Sequence, residues 1–203
     1  MRTFAILTWL VSALACSSLV AANDDYLTKP FVVVPSHDEA MQNFFGETLQ
    51  ERLRRPWNPP TDLQNAYVWP IPRSEHPLSD REAVGALRDS ANERLVVLGN
   101  ALPLHPDVHG FSVALPLGDR GAVGTPNYKT VGFLSAVPEY DGNGEMKNVR
   151  IHVNGFGRVY NARDFEDALA NAAAPEAGAV IESGDILTTR QLFKSLSRLF
   201  RAV

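Results

Sequence analysis

TVGFLSAVPEYDGNGEMKNVRIHVNGFGRVYN, residues 130–161, decides how the chain folds. Two glycine-containing turn signals, Asp141-Gly142-Asn143-Gly144 and Asn154-Gly155, separate three β-prone runs. Asn-Gly and Asp-Gly pairs reach the positive φ that tight hairpins need. In the middle run Val149, Ile151 and Val153 alternate with Arg150 and His152, the period of a half-buried antiparallel strand. The stretch therefore predicts a three-stranded antiparallel meander. One tension is visible in it. A two-residue turn at Asn154-Gly155 would set Arg158 opposite Ile151, which asks for a longer loop over 154–157.

Outward from this centre, helical signals flank the meander. Ser36-His37-Asp38-Glu39 is a capping-box pattern, and Met41, Phe44, Phe45, Leu49 and Leu53 then recur on one helical face up to about residue 54. Arg52, Arg54 and Arg55 suit the negative end of that helix, and Pro56 stops it. Ser79-Asp80-Arg81-Glu82 opens a second helix over 80–94. Strands are expected at 31–34, 95–98, 111–115 and 179–181, with a glycine-rich loop over 118–129. After the meander, Asn161 caps a helix over about 162–173. Thr188 with Gln191 opens the last helix, 188–201, whose apolar stripe is Leu192, Phe193, Leu196, Leu199, Phe200 and Val203. The fold class is α+β, an antiparallel β-meander packed against amphipathic helices.

The 203 residues, 45% hydrophobic and 21% charged, suffice for one ordinary globular unit. A net charge of −4 gives no electrostatic case for nucleic acid or an anionic membrane. Residues 1–22 read as a secretory signal: Arg2, an apolar run over 4–15 too short to span a bilayer, and the small-residue pattern Val20-Ala21-Ala22. N-terminal sequencing of the exported protein should accordingly begin at Asn23, and a lipid on Cys16 would overturn that. Cys16, the only cysteine, lies within this segment, so disulfides and thiolate chemistry are not expected in the mature chain. Beyond it, 23–77 forms an N-terminal arm, helix and proline-rich loop, and 78–203 the α+β core, with 31–77 expected to join the same globular unit.

Residues 56–77 hold six of the 14 prolines, which argues against a helix or a central strand there. Trp57, Tyr67 and Trp69 lie in this long segment. Aromatics are enriched among interface hot spots, so these three are the expected partner-binding residues. The alternative is that they cover an edge of the core.

No catalytic, cofactor or metal residue is assigned. His105 and His109 are four apart, but Pro106 and Gly110 favour a loop. Asp141, Asn143 and Glu145 resemble part of a calcium loop, yet Lys147 and His152 occupy later ligand positions, and the reading is a turn. In the glycine-rich loop Tyr128, not glycine, precedes Lys129-Thr130, so no phosphate loop is present.

Four short stretches resemble known patterns. Ala13-Leu14-Ala15-Cys16 resembles a bacterial lipoprotein box. Asn154-Gly155-Phe156-Gly157-Arg158-Val159 resembles the opening of glyceraldehyde-3-phosphate dehydrogenases, which implies a dinucleotide held at a strand-to-helix turn, with Glu182 at the ribose. Tyr160 stands at the third glycine position of that fingerprint, and the hairpin turn is the preferred reading. Residues 181–192, IESGDILTTRQL, resemble part of SAF-type β-clip domains, which implies a flagellar or pilus assembly role. Glu51-Arg52-Leu53-Arg54-Arg55, some 30 residues after the expected cleavage, resembles the Arg-any-Leu-Arg motif of oomycete host-translocated effectors, with Glu51 at the first arginine. A basic helix end is the alternative for that stretch.

Three functions follow as expectations. The favoured one is a secreted, non-enzymatic protein that binds a protein partner, in the layout of host-directed virulence effectors of filamentous plant pathogens. The second is a bacterial periplasmic or surface assembly adaptor. The third is a hydrolase whose catalytic residues, His105, His109 and His152 among the candidates, are dispersed along the chain.

Overall fold

The computed structural model describes residues 29–36, 38–55, 63–90, 92–100, 110–118, 128–161, 165–173, 175 and 179–199. The expected signal segment, Trp57, His105 and His109 lie outside these residues. Among the described residues the architecture is α+β: seven strands in one mixed sheet and four α-helices. In chain order they are β1 (Phe31–Pro35), α1 (Glu39–Leu53), β2 (Tyr67–Pro70), α2 (Asp80–Asp89), β3 (Arg94–Asn100), β4 (Phe111–Gly118), β5 (Tyr128–Tyr140), β6 (Met146–Tyr160), α3 (Phe165–Asn171), β7 (Ile186–Thr188) and α4 (Thr189–Leu199). The sheet order is β1-β6-β5-β4-β3-β7, and β2 also pairs with β6.

The meander is present in its first half only. β5 and β6 form the long hairpin at the sheet's centre, closed by the turn over 141–145. There Asp141 Oδ1 accepts the backbone N–H groups of Asn143 and Glu145, both at 2.9 Å. The second predicted turn does not exist. β6 runs straight through Asn154-Gly155 as one 15-residue strand. Phe133 pairs with Gly155 and Leu134 with Val153, so Asn154 is the extra residue of a β-bulge. Gly155 has φ 140°, a backbone that β-carbon-bearing residues rarely adopt. A positive-φ glycine marks a bulge as readily as a turn, which is why the Asn-Gly pair misled. The bulge also resolves the register tension. It shifts the alternation by one, so Phe156 joins Val149, Ile151 and Val153 in the same core cluster.

The sheet is not purely antiparallel either: β1 lies parallel to β6, with Phe31 opposite Val149 and Val33 opposite Ile151. β1 and β2 follow one another along the same edge of β6, β1 over 149–153 and β2 over 157–160.

Both sheet faces carry helices, which accounts for the apolar runs in β3, β4 and β5. α2 and α4 share one cluster with Leu95, Val97, Val113, Leu115 and Leu134. α1 and α3 share the other with Val96, Leu98, Ala114, Val131 and Phe133. Alternate residues of each strand thus serve opposite layers.

Helix starts follow their caps, with one correction. α1 is capped by Asp38, whose carboxylate accepts from Ala40 N and Met41 N, not by Ser36. Ser36 is still held to the sheet, its N–H donating to Val153 O. Phe44, expected inward, is 45% exposed, while Met41, Phe45, Leu49 and Leu53 are buried. α2 has the predicted capping box between Ser79 and Glu82 but ends at Asp89, because Arg94 already belongs to β3. At α4, Thr188 and Gln191 cap reciprocally: Gln191 Oε1 accepts from Thr188 N at 2.8 Å and Thr188 Oγ1 from Gln191 N at 3.2 Å. The strand expected at 179–181 is absent, and Val180 is 83% exposed. β7 forms instead after the turn at Gly184, where it can pair with β3. Asn161, expected to cap α3, has φ 54° and donates from Nδ2 to Asn65 O, while residues 162–164 lie outside the described set.

Candidate functional site

β2, β6 and β5 run side by side at one end of the sheet, and their register places two rows of side chains on one face. Tyr67, Tyr160 and Tyr128 are cross-strand partners in the first row. Trp69, Arg158 and Thr130 are partners in the second. Directly opposed residues share a face, and this is the face on which Phe156 meets the α2–α4 layer.

The proline-rich segment was expected to be a loop. Residues 67–70 are instead a four-residue edge strand, which proline tolerates and a central strand would not. Pro70 ends it and has no N–H to offer. The outward Val68 N–H donates to Gln50 Oε1 of α1 at 3.1 Å. The donors on this edge are therefore used or absent, and a further strand would find none to pair with. What this end of the sheet offers a partner is side chains.

Those side chains are ordered by one another. Tyr67 and Tyr160 stack at 4.9 Å with 7° between their planes, the spacing of neighbouring strands. Tyr128 tilts against Tyr160 at 5.3 Å. The Arg158 guanidinium lies 5.2 Å over the Tyr128 ring and pairs with Glu75 at 3.2 Å. Partial burial opposes the charge on Arg158, but Glu75 and the two tyrosines outweigh it and raise its pKa above the ordinary arginine value. Trp69 stands beside this network, 60% exposed, and no ring of the described residues stacks on it. Tyr67 is 41% exposed.

Of the three residues singled out in the sequence, the structure brings Tyr67 and Trp69 to one surface and leaves Trp57 outside the described residues. Tyr128, Tyr160 and Arg158 were not anticipated. The spacing of Phe156, Arg158 and Tyr160 was a strand signal, but the supposed turn at Asn154-Gly155 hid it.

The other stretches singled out in the sequence lie elsewhere in the fold. The glycines of the dehydrogenase-like stretch lie inside β6, with no strand-to-helix turn between them to hold a pyrophosphate. Glu182 sits in a turn, its N–H donating to Asp185 Oδ2. In the effector-like stretch Leu53 is fully buried, and Arg52 Nη2 donates to Ser183 Oγ at 2.9 Å. The described residues hold no group of three or more His, Cys, Asp or Glu side chains suited to a metal. No described helix is long and apolar enough to cross a membrane.

On the opposite sheet face Ser112, Ser135 and Asn154 form a buried chain: Ser112 Oγ to Ser135 Oγ at 2.8 Å, and Asn154 Nδ2 donating to Ser135 Oγ at 2.8 Å. His152 is the cross-strand neighbour of Ser135. Ser135 is sealed from solvent, so it offers no nucleophile to a substrate. His152 is half-buried, and burial, followed by the Arg150 charge, holds its pKa below the ordinary histidine value. Val34 on β1 and Ser135 on β5 flank it and supply no charge. The unfolded chain therefore binds the proton more readily. Stability should be full above about pH 6.5 and fall as the pH drops toward the folded pKa. Melting temperatures taken between about pH 7 and pH 5 should show a slope that flattens in His152→Gln. An identical slope in the variant would place the titration elsewhere.

No protein-family model, curated protein or solved structure matches the chain.

Proposed function

We propose that this is a secreted, non-enzymatic interaction protein that captures a protein partner on the aromatic face of β2, β6 and β5. The observation that carries the reading is Trp69: a tryptophan 60% exposed on a sheet, beside a preordered Tyr67–Tyr160–Tyr128–Arg158 layer. Tryptophan, tyrosine and arginine are the residues that dominate binding hot spots. Because the tyrosines and Arg158 already hold one another, little side-chain freedom remains to be lost on docking. The quenched edge of β2 directs the partner to side chains rather than to strand addition. Secretion rests on the signal-like segment 1–22, and a host-directed role on the layout of that segment with the basic stretch 51–55.

A photo-reactive residue at position 69 should cross-link one discrete protein, whose affinity for the unmodified chain can then be measured. Trp69→Ala should change folding stability by no more than about 0.5 kcal/mol, yet weaken capture on the order of 30-fold, a typical hot-spot loss. Val180→Ser, which removes another exposed apolar side chain, serves as control and should leave capture unchanged. Equal affinity in Trp69→Ala, or a large fall in its melting temperature, would sink the proposal.

A further inference from the structure

We draw no further inference here: the strongest candidate, the buried Ser112–Ser135–Asn154 chain beneath the β6 bulge, ends in an Asn154 carbonyl oxygen without a partner, but that oxygen is sealed from solvent and nothing in the structure shows what would occupy the site.

Discussion

Gly155→Val is expected to destabilise the fold by about 2–6 kcal/mol, the sum of backbone strain at a positive φ and overpacking. A β-carbon at this position would stand 2.6 Å from Cδ and 2.8 Å from Cγ of Gln42, which no rotation of the valine itself relieves. Gln42 has little room to yield. Its amide nitrogen donates to Phe156 O at 2.7 Å and to Ile71 O at 2.8 Å, tying α1 to β6 and to the end of β2. Moving it would take one of two partners from each carbonyl, since Phe156 O also accepts from Ile71 N at 2.9 Å and Ile71 O also faces His76 Nε2 at 3.2 Å. It would also leave the buried Gln42 amide without its acceptors, at a cost of roughly 1–3 kcal/mol. Urea denaturation of Gly155→Val beside Gly142→Ala separates this from a generic glycine effect, because a β-carbon at Gly142 meets nothing within 4 Å. Gly155→Ala combined with Gln42→Ala should recover the steric part and keep the φ penalty, a non-additivity that a double-mutant cycle reads directly. Equal stability of Gly155→Val and the parent would mean that position 155 neither holds a positive φ nor packs against Gln42, and would overturn the bulge.

That same bulge marks where sequence reasoning stopped. Helix starts were legible because caps are local: Ser79 with Glu82, and Thr188 with Gln191, declare themselves within four residues. The β5–β6 hairpin was legible for the same reason, its turn being built from Asp141 and its immediate neighbours. Strand partners were not, because pairing is settled between distant segments. Nothing near Phe31 says that it will lie parallel to Val149, and nothing near Val180 says that β3 will select residues 186–188 instead. Asn154-Gly155 shows the limit most clearly. Gly155 does take the positive φ that its sequence advertises, but whether the chain then reverses or continues depends on β5 and β2 pairing on either side of it. The candidate site inherited the error. Tyr67 and Trp69 could be picked as aromatics in a proline-rich stretch. Tyr128, Arg158 and Tyr160 become their neighbours only once β6 is one strand.

Leu196→Ala should cost about 2–5 kcal/mol, the range for deleting a buried leucine and leaving a partly collapsed cavity. α4 presents Leu192, Phe193 and Leu196 to the layer it shares with α2, and all three are fully buried. Phe193 stacks on Phe31 at 4.9 Å, so the last helix also secures the first strand. Tyr140 adds a polar clasp, its hydroxyl donating to Leu196 O at 2.9 Å. The alanine variant keeps that carbonyl, so its loss measures packing alone, whereas Tyr140→Phe should remove the clasp and cost about 1 kcal/mol. Against a total stability of about 5–15 kcal/mol for a typical domain, the Leu196 loss is large enough to read from a shifted urea midpoint with an unchanged slope. An unmoved midpoint would show α4 detached from the sheet in solution. β1 would then lose the Phe193 contact, and Phe31→Ala should be equally silent. A drop in both variants, smaller in the double mutant than the sum of the two, is what packing of Phe31, Phe193 and Leu196 in one layer requires.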